Sequence, residues 1–292
     1  MTGKVKVGIL EYQKYHQEYI RTLANICHID GVDITIFKDI KEAQKADYLD
    51  LLFVNTIQPF PKDYMKWIRF KPKCRTILTI HEANSELKNK IPFKKTVLNK
   101  FDAISVALPA VKDYIVENDI YDGEIYTIPF MLHEEKTAGN GLFVVPGQIA
   151  CFRRDYTWLF KKENLQKILP LYILGTPVGR YGKSVIKSCK KLFDNGYPVY
   201  YHDSNGYIPA VEYTRIIRNC TTIVAPLRNP TEGFLGFNEE CYGKTKVCGS
   251  MFEAIKYGKN FICNLDIKLD YKDFLLKDWQ EYFKKEIIAK YI

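Results

Sequence analysis

Residues 240–259 read Glu240-Cys-Tyr-Gly-Lys-Thr-Lys-Val-Cys-Gly-Ser-Met-Phe-Glu-Ala-Ile-Lys-Tyr-Gly-Lys259. They contain a helix pattern that lies between two short apolar runs. Thr222-Ile-Val-Ala225 precedes it, and Asn260-Phe-Ile-Cys263 follows it. Gly249-Ser250 predicts the start of a helix that ends at Tyr257. Strand, helix and strand in this order form a βαβ unit, which predicts a parallel sheet covered by helices.

The same alternation of short apolar runs and helical patterns extends outward through the whole chain. In the first half, strands are predicted over 5–10, 32–37, 49–55, 75–80, 101–106 and 124–129, and a helix over 12–27. In the second half, strands are predicted over 142–145, 171–174, 199–202, 222–225 and 260–263, and helices over 156–168, 182–195, 210–219 and 249–257. Residues 133–141 have two glycines and no periodicity, so we expect a linker there.

This order predicts an α/β protein of two tandem Rossmann-like, doubly wound domains facing a central cleft. The N-terminal domain is expected over 1–135 and the C-terminal domain over 140–265, followed by a helical tail over 266–292. A length of 292 residues agrees with two domains of ordinary size. In such sheets a ligand lies at the carboxyl ends of the strands, which can face one cleft.

Composition excludes several classes of protein. A net charge of +9 favours a polyanionic partner, but no long run of lysines predicts a nucleic-acid arm, and most aromatic residues fall at core-periodic positions. The eight cysteines form no C-x-x-C pair, which excludes the common zinc and redox motifs. No apolar run has the length of a signal peptide or membrane span. We therefore expect a cytoplasmic protein with reduced cysteines, or with a disulfide if the source is a hyperthermophile.

The helix start at Gly249-Ser250 is the strongest candidate for binding chemistry. Its unpaired N–H groups and positive dipole end form a natural seat for a diphosphate. Lys244, just upstream, can neutralise the same phosphates, and Glu253, one helical turn on, can accept hydrogen bonds from a ribose. The alternative is an ordinary helix start with an ordinary surface glutamate.

Several segments resemble GT-B glycosyltransferases, in particular the retaining family 4 type. Glu253-Ala-Ile-Lys-Tyr-Gly258-Lys-Asn-Phe261-Ile262, after Pro226-Leu227, resembles the helix and strand of its donor-binding region. Val144-Val-Pro-Gly147-Gln148, followed by Arg153-Arg154, stands where that family binds the diphosphate. The pieces occur in the family's order over most of the chain.

The resemblance implies glycan biosynthesis, with transfer of a hexose or pentose from a nucleotide diphosphate-sugar to a hydroxyl of a glycan, lipid-linked or glycoprotein acceptor. It implies retention, a donor in the C-terminal domain, an acceptor in the N-terminal one, and a last helix that packs on the first domain. No metal or other cofactor is implied, and the chain contains no Asp-x-Asp motif for a metal-bridged diphosphate.

The resemblance also implies roles for single residues. Arg153 and Arg154 would hold the diphosphate with Lys244 and the start of the helix at Gly249-Ser250, and Glu253 would hold the ribose. Glu240 is the candidate that contacts the donor sugar, and His81, just after a predicted strand, would be the catalytic residue near the reacting carbon.

Three positions depart from the family pattern. The family's two glutamates are separated by seven residues, but Thr245 stands at that distance from Glu253, so that Glu240 and Glu232 are the nearby substitutes. Gln148 replaces an arginine. The glycine-rich turn after the first strand is absent, and Leu10-Glu11-Tyr12-Gln13 stands there instead.

Other readings stay open. Arg153-Arg154 can be a surface loop or form a structural ion pair with Asp155, and His81 can be a hydrogen-bonded loop residue. The chain can also be a catalytically decayed GT-B scaffold that binds nucleotide or protein partners, or a sugar-nucleotide epimerase. The aromatic face of the tail, beside Lys284 and Lys285, can rest on a membrane surface instead of packing on the first domain.

Overall fold

A computed structural model of the chain describes residues 4–12, 16–57, 61–88, 96–202, 207–232 and 238–290. Residue contacts divide it into two compact units. The first contains the described residues of Met1–Met131, Gly233–Val247 and Phe274–Ile292, and the second those of Leu132–Glu232 and Cys248–Asp273. These bounds differ from the predicted domains mainly at residues 238–247, which the prediction placed in the C-terminal domain and which group with the first unit.

The first unit is built on a six-stranded parallel sheet in the order β2-β1-β3-β4-β5-β6. Its strands are β1 (Val5–Leu10), β2 (Val32–Phe37), β3 (Leu51–Val54), β4 (Arg75–Thr79), β5 (Ala103–Val106) and β6 (Glu124–Thr127). Its first helices are α1 (Gln17–Cys27), α2 (Ile40–Lys45), α3 (Pro61–Arg69), α4 (Ala83–Leu87) and α5 (Pro109–Glu117). All residues of β3 and β5 are buried, as in a sheet covered on both faces.

The second unit has a five-stranded parallel sheet in the order β13-β10-β7-β8-β9. Its strands are β7 (Phe143–Pro146), β8 (Leu171–Leu174), β9 (Val199–Tyr201), β10 (Thr222–Ala225) and β13 (Asn260–Cys263). Its helices are α6 (Tyr156–Leu159), α7 (Lys162–Leu165), α8 (Gly179–Asp194), α9 (Ala210–Asn219) and α10 (Gly249–Lys256). Two strands of two residues each are β11 (Thr231–Glu232), in the second unit, and β12 (Glu239–Glu240), in the first.

Strand order reverses once in each sheet, between β1 and β3 and between β7 and β10. In open α/β sheets, ligands bind outside the carboxyl ends of the strands at this reversal. Candidate ligand-binding residues therefore follow β1, β3 and β4 in the first unit and β7 and β10 in the second.

Some predicted helices differ from the observed ones. The first begins at Gln17 instead of 12; residues 13–15 of that prediction lie outside the described residues. The helix predicted over 156–168 is two short helices, because Asp155 starts the first by accepting from the N–H groups of Thr157 and Trp158, and a turn separates it from the second.

The tail begins as a helix, α11 (Leu276–Tyr282), and continues as a π-helical turn, Phe283–Ile287, and a 3-10 turn, Ile288–Lys290. Phe283, Ile287 and Ile288 are buried, and the Phe283 ring lies 6.2 Å from that of Phe53 on β3. The tail thus completes the apolar core of the first unit.

All eight cysteines are free thiols. Within the described residues, no helix combines the length and apolar character that a bilayer span requires.

Candidate functional site

The turn after β7 brings the backbone of the second unit close to a buried arginine. Gly147 has a φ of +91°, and its N–H donates to the carbonyl of Leu174 at 3.0 Å. A Cβ at this glycine would lie 3.4 Å from Nη2 of Arg154. A residue with a side chain would be strained by the positive φ, so glycine lets the turn pass directly over the guanidinium.

Arg154 is the central residue of this edge. Its side chain is buried, and Nη2 donates to the carbonyl of Pro146 at 3.1 Å and to Oγ of Ser250 at 2.9 Å. Its Nη1 is buried and makes no hydrogen bond to any part of the chain that the structure describes. An unpaired buried donor is costly in a folded protein. A bound anion that accepts from Nη1 would remove this cost.

Helix α10 starts beside the same arginine. Gly249 is exposed and Ser250 is buried, and the preceding residue, Cys248, provides no side-chain cap. The N–H of Met251 donates to the carbonyl of Cys248 at 3.0 Å, and the helix dipole adds a partial positive charge at this end of α10. The structure brings together three of the predicted residues, Arg154, Gly249 and Ser250, as one positively polarised corner.

Arg153 differs from its neighbour. Its side chain is exposed, with the guanidinium carbon 5.4 Å from the centre of the Phe152 ring. Asp155 does not pair with either arginine among the described ion pairs; it accepts from Thr157 N at 3.0 Å at the start of α6. The surface-loop alternative therefore fits Arg153 but not the buried Arg154.

Glu253 lies one turn into α10 and is partly buried. Its Oε1 accepts from the hydroxyl of Tyr213 at 3.2 Å. Glu232 on β11 belongs to the same unit and is exposed. Both carboxylates are therefore on the unit that carries Arg154.

Glu240 and Lys244 belong to the first unit instead. Glu240 is fully buried; its Oε1 accepts from Ser85 N at 2.6 Å, and its Oε2 has no hydrogen-bond partner among the described residues. Burial raises the pKa of this carboxyl. In this geometry Glu240 binds the start of α4 and has no surface to offer a sugar. Lys244 is exposed.

The segment 238–247 is attached to α4 by further contacts. Lys246 pairs with Glu82 at 2.6 Å, and the N–H of Ala83 donates to the carbonyl of Thr245 at 2.9 Å. Sequence reasoning did not find this attachment.

His81 follows β4 at the carboxyl edge of the first sheet. Its Nε2 lies 3.0 Å from the carbonyl oxygen of Asn55, which can only accept, so Nε2 carries the proton. The ring stacks on that of His16, with centroids 4.4 Å apart. Burial, with a smaller effect of His16, lowers the pKa of His81 to about 3. The ring is therefore neutral at pH 7, and its Nδ1 is a hydrogen-bond acceptor.

Two residues of this edge were not singled out from the sequence. Asn55, directly after β3, is fully buried and donates from Nδ2 to the carboxylate of Glu11, directly after β1. Both stand where the strand order reverses. The signal that identifies them is a polar residue at the end of an apolar strand. His16, whose ring stacks on that of His81, has a φ of 61° before α1, a conformation that non-glycine residues seldom adopt.

No group of three or more His, Cys, Asp or Glu side chains within the described ranges is arranged to hold a metal ion.

Comparison with known proteins supports the fold. No protein-family model matches the chain, and no curated protein matches its sequence. A solved structure of sucrose-phosphate synthase from Thermosynechococcus elongatus matches with a TM-score of 0.54 and 12% identity, covering 89% of this chain and 81% of that one. The solved GtfA/B complex matches with a TM-score of 0.44 and 13% identity, covering 82% of this chain and 50% of that one, and adds no argument. The predicted fold class, α/β with two Rossmann-like units of the GT-B type, is confirmed.

Proposed function

We propose that the chain is a glycosyltransferase whose second unit binds a nucleotide diphosphate-sugar and whose first unit binds the acceptor. The observation that carries this proposal is Nη1 of Arg154, a buried cationic donor without a described partner at the strand reversal of the second sheet. A guanidinium beside a helix start suits a phosphate group, which in this proposal belongs to the diphosphate of the donor. The fold supports the same class of ligand.

Arg154 would act on the leaving group. When the bond between the sugar and the diphosphate breaks, negative charge develops on the diphosphate oxygens. A buried guanidinium and the N–H groups of α10 are already oriented and partly desolvated, so they stabilise this charge with little reorganisation. Metal independence and retention belong to the proposal and rest on the family resemblance alone, as does the choice of a hexose or pentose.

The carboxylates receive different roles in the proposal. Glu253 holds the ribose. Glu232, instead of Glu240, contacts the donor sugar, because it is exposed on the unit that carries Arg154 while Glu240 is fully buried in the other. His81 contributes a neutral ring with an accepting Nδ1 to the acceptor side.

The test is a panel of UDP-, GDP-, dTDP- and ADP-sugars, read by thermal shift and by release of free nucleoside diphosphate. We expect one nucleotide family to raise the melting temperature, with release that the substitution Glu253→Ala abolishes. Arg154→Lys keeps the charge but loses the Nη1 donor, and we expect it to weaken binding. Arg180→Lys, an exposed arginine of α8, is the matched control and should bind like the wild type.

The second candidate is a decayed GT-B scaffold, which the burial of Glu240 and the threonine at 245 favour. It predicts a thermal shift with nucleotide but no release with any acceptor. An epimerase predicts a product in which the sugar stays bonded to the nucleotide. Absence of any nucleotide-induced shift would contradict the transferase, the epimerase and a scaffold that binds nucleotide.

A further inference from the structure

A pocket of about 450 Å³ opens on the first unit beside the ends of β1 and β2. Tyr12 stands two residues after β1, and Lys38 stands directly after β2. Residues of α2 and α3 complete its walls. Because all strands of this sheet are parallel, the pocket lies at the same edge as His81, which follows β4.

The walls of this pocket are strongly cationic. Four of its residues carry positive charge and one carries negative charge; they are Lys38, Lys41, Lys66, Arg69 and Asp39. The Asp39 carboxylate is already engaged, because Oδ1 accepts from the N–H groups of Lys41 and Glu42 at 2.8 and 3.1 Å. Lys38, Lys41 and Arg69 make no ion pair with any side chain that the structure describes, and all three are exposed.

The aromatic ring of Tyr12 also lines the pocket, beside these cations. Tyr12 is partly buried, with its ring 5.6 Å from that of Trp67 in an edge-on arrangement. Nζ of Lys66 lies 5.9 Å from the centre of the Tyr12 ring. A held aromatic ring beside cations is suited to a ligand that has an apolar sugar face and an anionic group.

The pocket lies beside the end of β1, and His81 follows β4 in the same sheet. β1 and β4 have only β3 between them, so their carboxyl ends lie about 10 Å apart at the usual strand spacing.

We propose that this pocket binds a phosphate group of the acceptor, so that the acceptor is a phosphorylated compound. This inference rests on the proposed function, in which the first unit binds the acceptor. Phosphate is the chemistry favoured here, because three lysines and an arginine line one pocket with a single carboxylate, that of Asp39. The phosphate can belong to a soluble sugar phosphate or to a phospholipid head group, and the test separates the two.

The probes are glucose 6-phosphate, glucose, inorganic phosphate, and vesicles of phosphatidylcholine with and without phosphatidylglycerol. Binding to the full chain is measured by calorimetry for the soluble probes and by flotation for the vesicles. The test variant is the pair Lys41→Glu and Arg69→Glu, with Lys41→Gln and Arg69→Gln as a milder version. The matched control is Lys187→Glu and Lys190→Glu, which makes the same charge change at exposed positions of α8.

We expect glucose 6-phosphate to bind and glucose not to bind, with affinity falling about tenfold or more in the test pair and unchanged in the control. Loss of phosphatidylglycerol-dependent flotation in the test pair alone would support the pocket and identify a lipid head group as the source. If both variant pairs bind every probe as the wild type does, or if no phosphate-bearing probe binds, the proposal is overturned.

The same variants separate this proposal from the proposed function. Thermal shift with nucleoside diphosphates reports on the second unit, which neither Lys41 nor Arg69 belongs to. Nucleotide binding without phosphate binding in the pocket would overturn only the pocket. Phosphate binding in the pocket without nucleotide binding or turnover would overturn only the proposed transferase function.

Discussion

A single buried side chain, that of Arg154, is the centre of the proposed diphosphate site. The order of residues around Gly147 already placed an arginine at the diphosphate position. What the sequence could not reveal is that Arg154 is buried with one unpaired donor while Arg153 is exposed. Neighbouring arginines have the same chemistry in sequence, and only the path of the turn after β7 distinguishes them.

Replacing Arg154 by lysine should lower the affinity for nucleoside diphosphate by about ten- to a hundredfold, since a hydrogen bond to a charged group is worth about 1.5–3 kcal/mol. Isothermal titration calorimetry measures the change directly. Arg153→Lys is the internal comparison and should have a smaller effect because its side chain is exposed. Equal losses in the two variants would show that burial of Arg154 has no part in binding.

His81 predicts a dependence of stability on pH. The unfolded chain protonates this ring near its ordinary pKa of 6.5, whereas the folded ring stays neutral down to about pH 3. Its contribution is therefore fully present above pH 6.5 and is lost as pH falls towards 3, by up to about 2 kcal/mol at pH 5. Burial lowers the pKa of His16 as well, so His16 acts in the same direction.

Chemical denaturation of wild type and His81→Gln at pH 7 and 5 tests this. Glutamine can still donate to the Asn55 carbonyl but has no proton to gain, so the variant should lose less stability on acidification. His28→Gln, at an exposed histidine, should behave as the wild type does. The same loss in all three proteins would contradict the assignment of this dependence to His81.

At the scale of elements, the turns after β7 and β8 are packed against each other. A Cβ on Gly175 would lie 1.9 Å from the carbonyl oxygen of Gly147. Because that atom is backbone, it cannot move without displacing the turn that covers Arg154. A side chain at residue 175 would therefore displace the backbone that covers Arg154.

Gly175→Ala should lower the free energy of unfolding by about 2 kcal/mol or more. Gly249→Ala is the matched control for stability, because no atom lies within 4 Å of the added Cβ, and its effect should stay within about 0.5 kcal/mol. Urea denaturation compares them. A stable Gly175→Ala protein would mean that the two turns separate easily.

The elements themselves were largely predictable, and their long-range partners were not. Strands such as β1 and β8 match the predicted bounds, because buried parallel strands have continuous apolar runs. Glu240 was misjudged because its partner, Ser85, lies 155 residues away in the chain. No local periodicity indicates that residues 238–247 attach to α4 of the first unit.

In the whole molecule, the stability of the first unit depends on its last segment, residues 274–290. Phe283 is fully buried against the sheet side that carries Phe53. Phe283→Ala should therefore lower the free energy of unfolding by about 3–5 kcal/mol. Leu276→Ala, at a residue that is 36% exposed, should cost about 1 kcal/mol or less. Differential scanning calorimetry measures both, and similar melting temperatures for the two variants would contradict a core role for the tail.

The division of the first unit into three chain segments also sets the order in which the protein matures on the ribosome. Strands β1–β6 are translated first, but Phe283, Ile287 and Ile288 emerge only after the whole second unit, including β13, has been synthesised. The second unit can therefore complete its core while the first still exposes apolar surface. We expect nascent chains that end before residue 274 to bind chaperones, and to be released from them once the tail emerges.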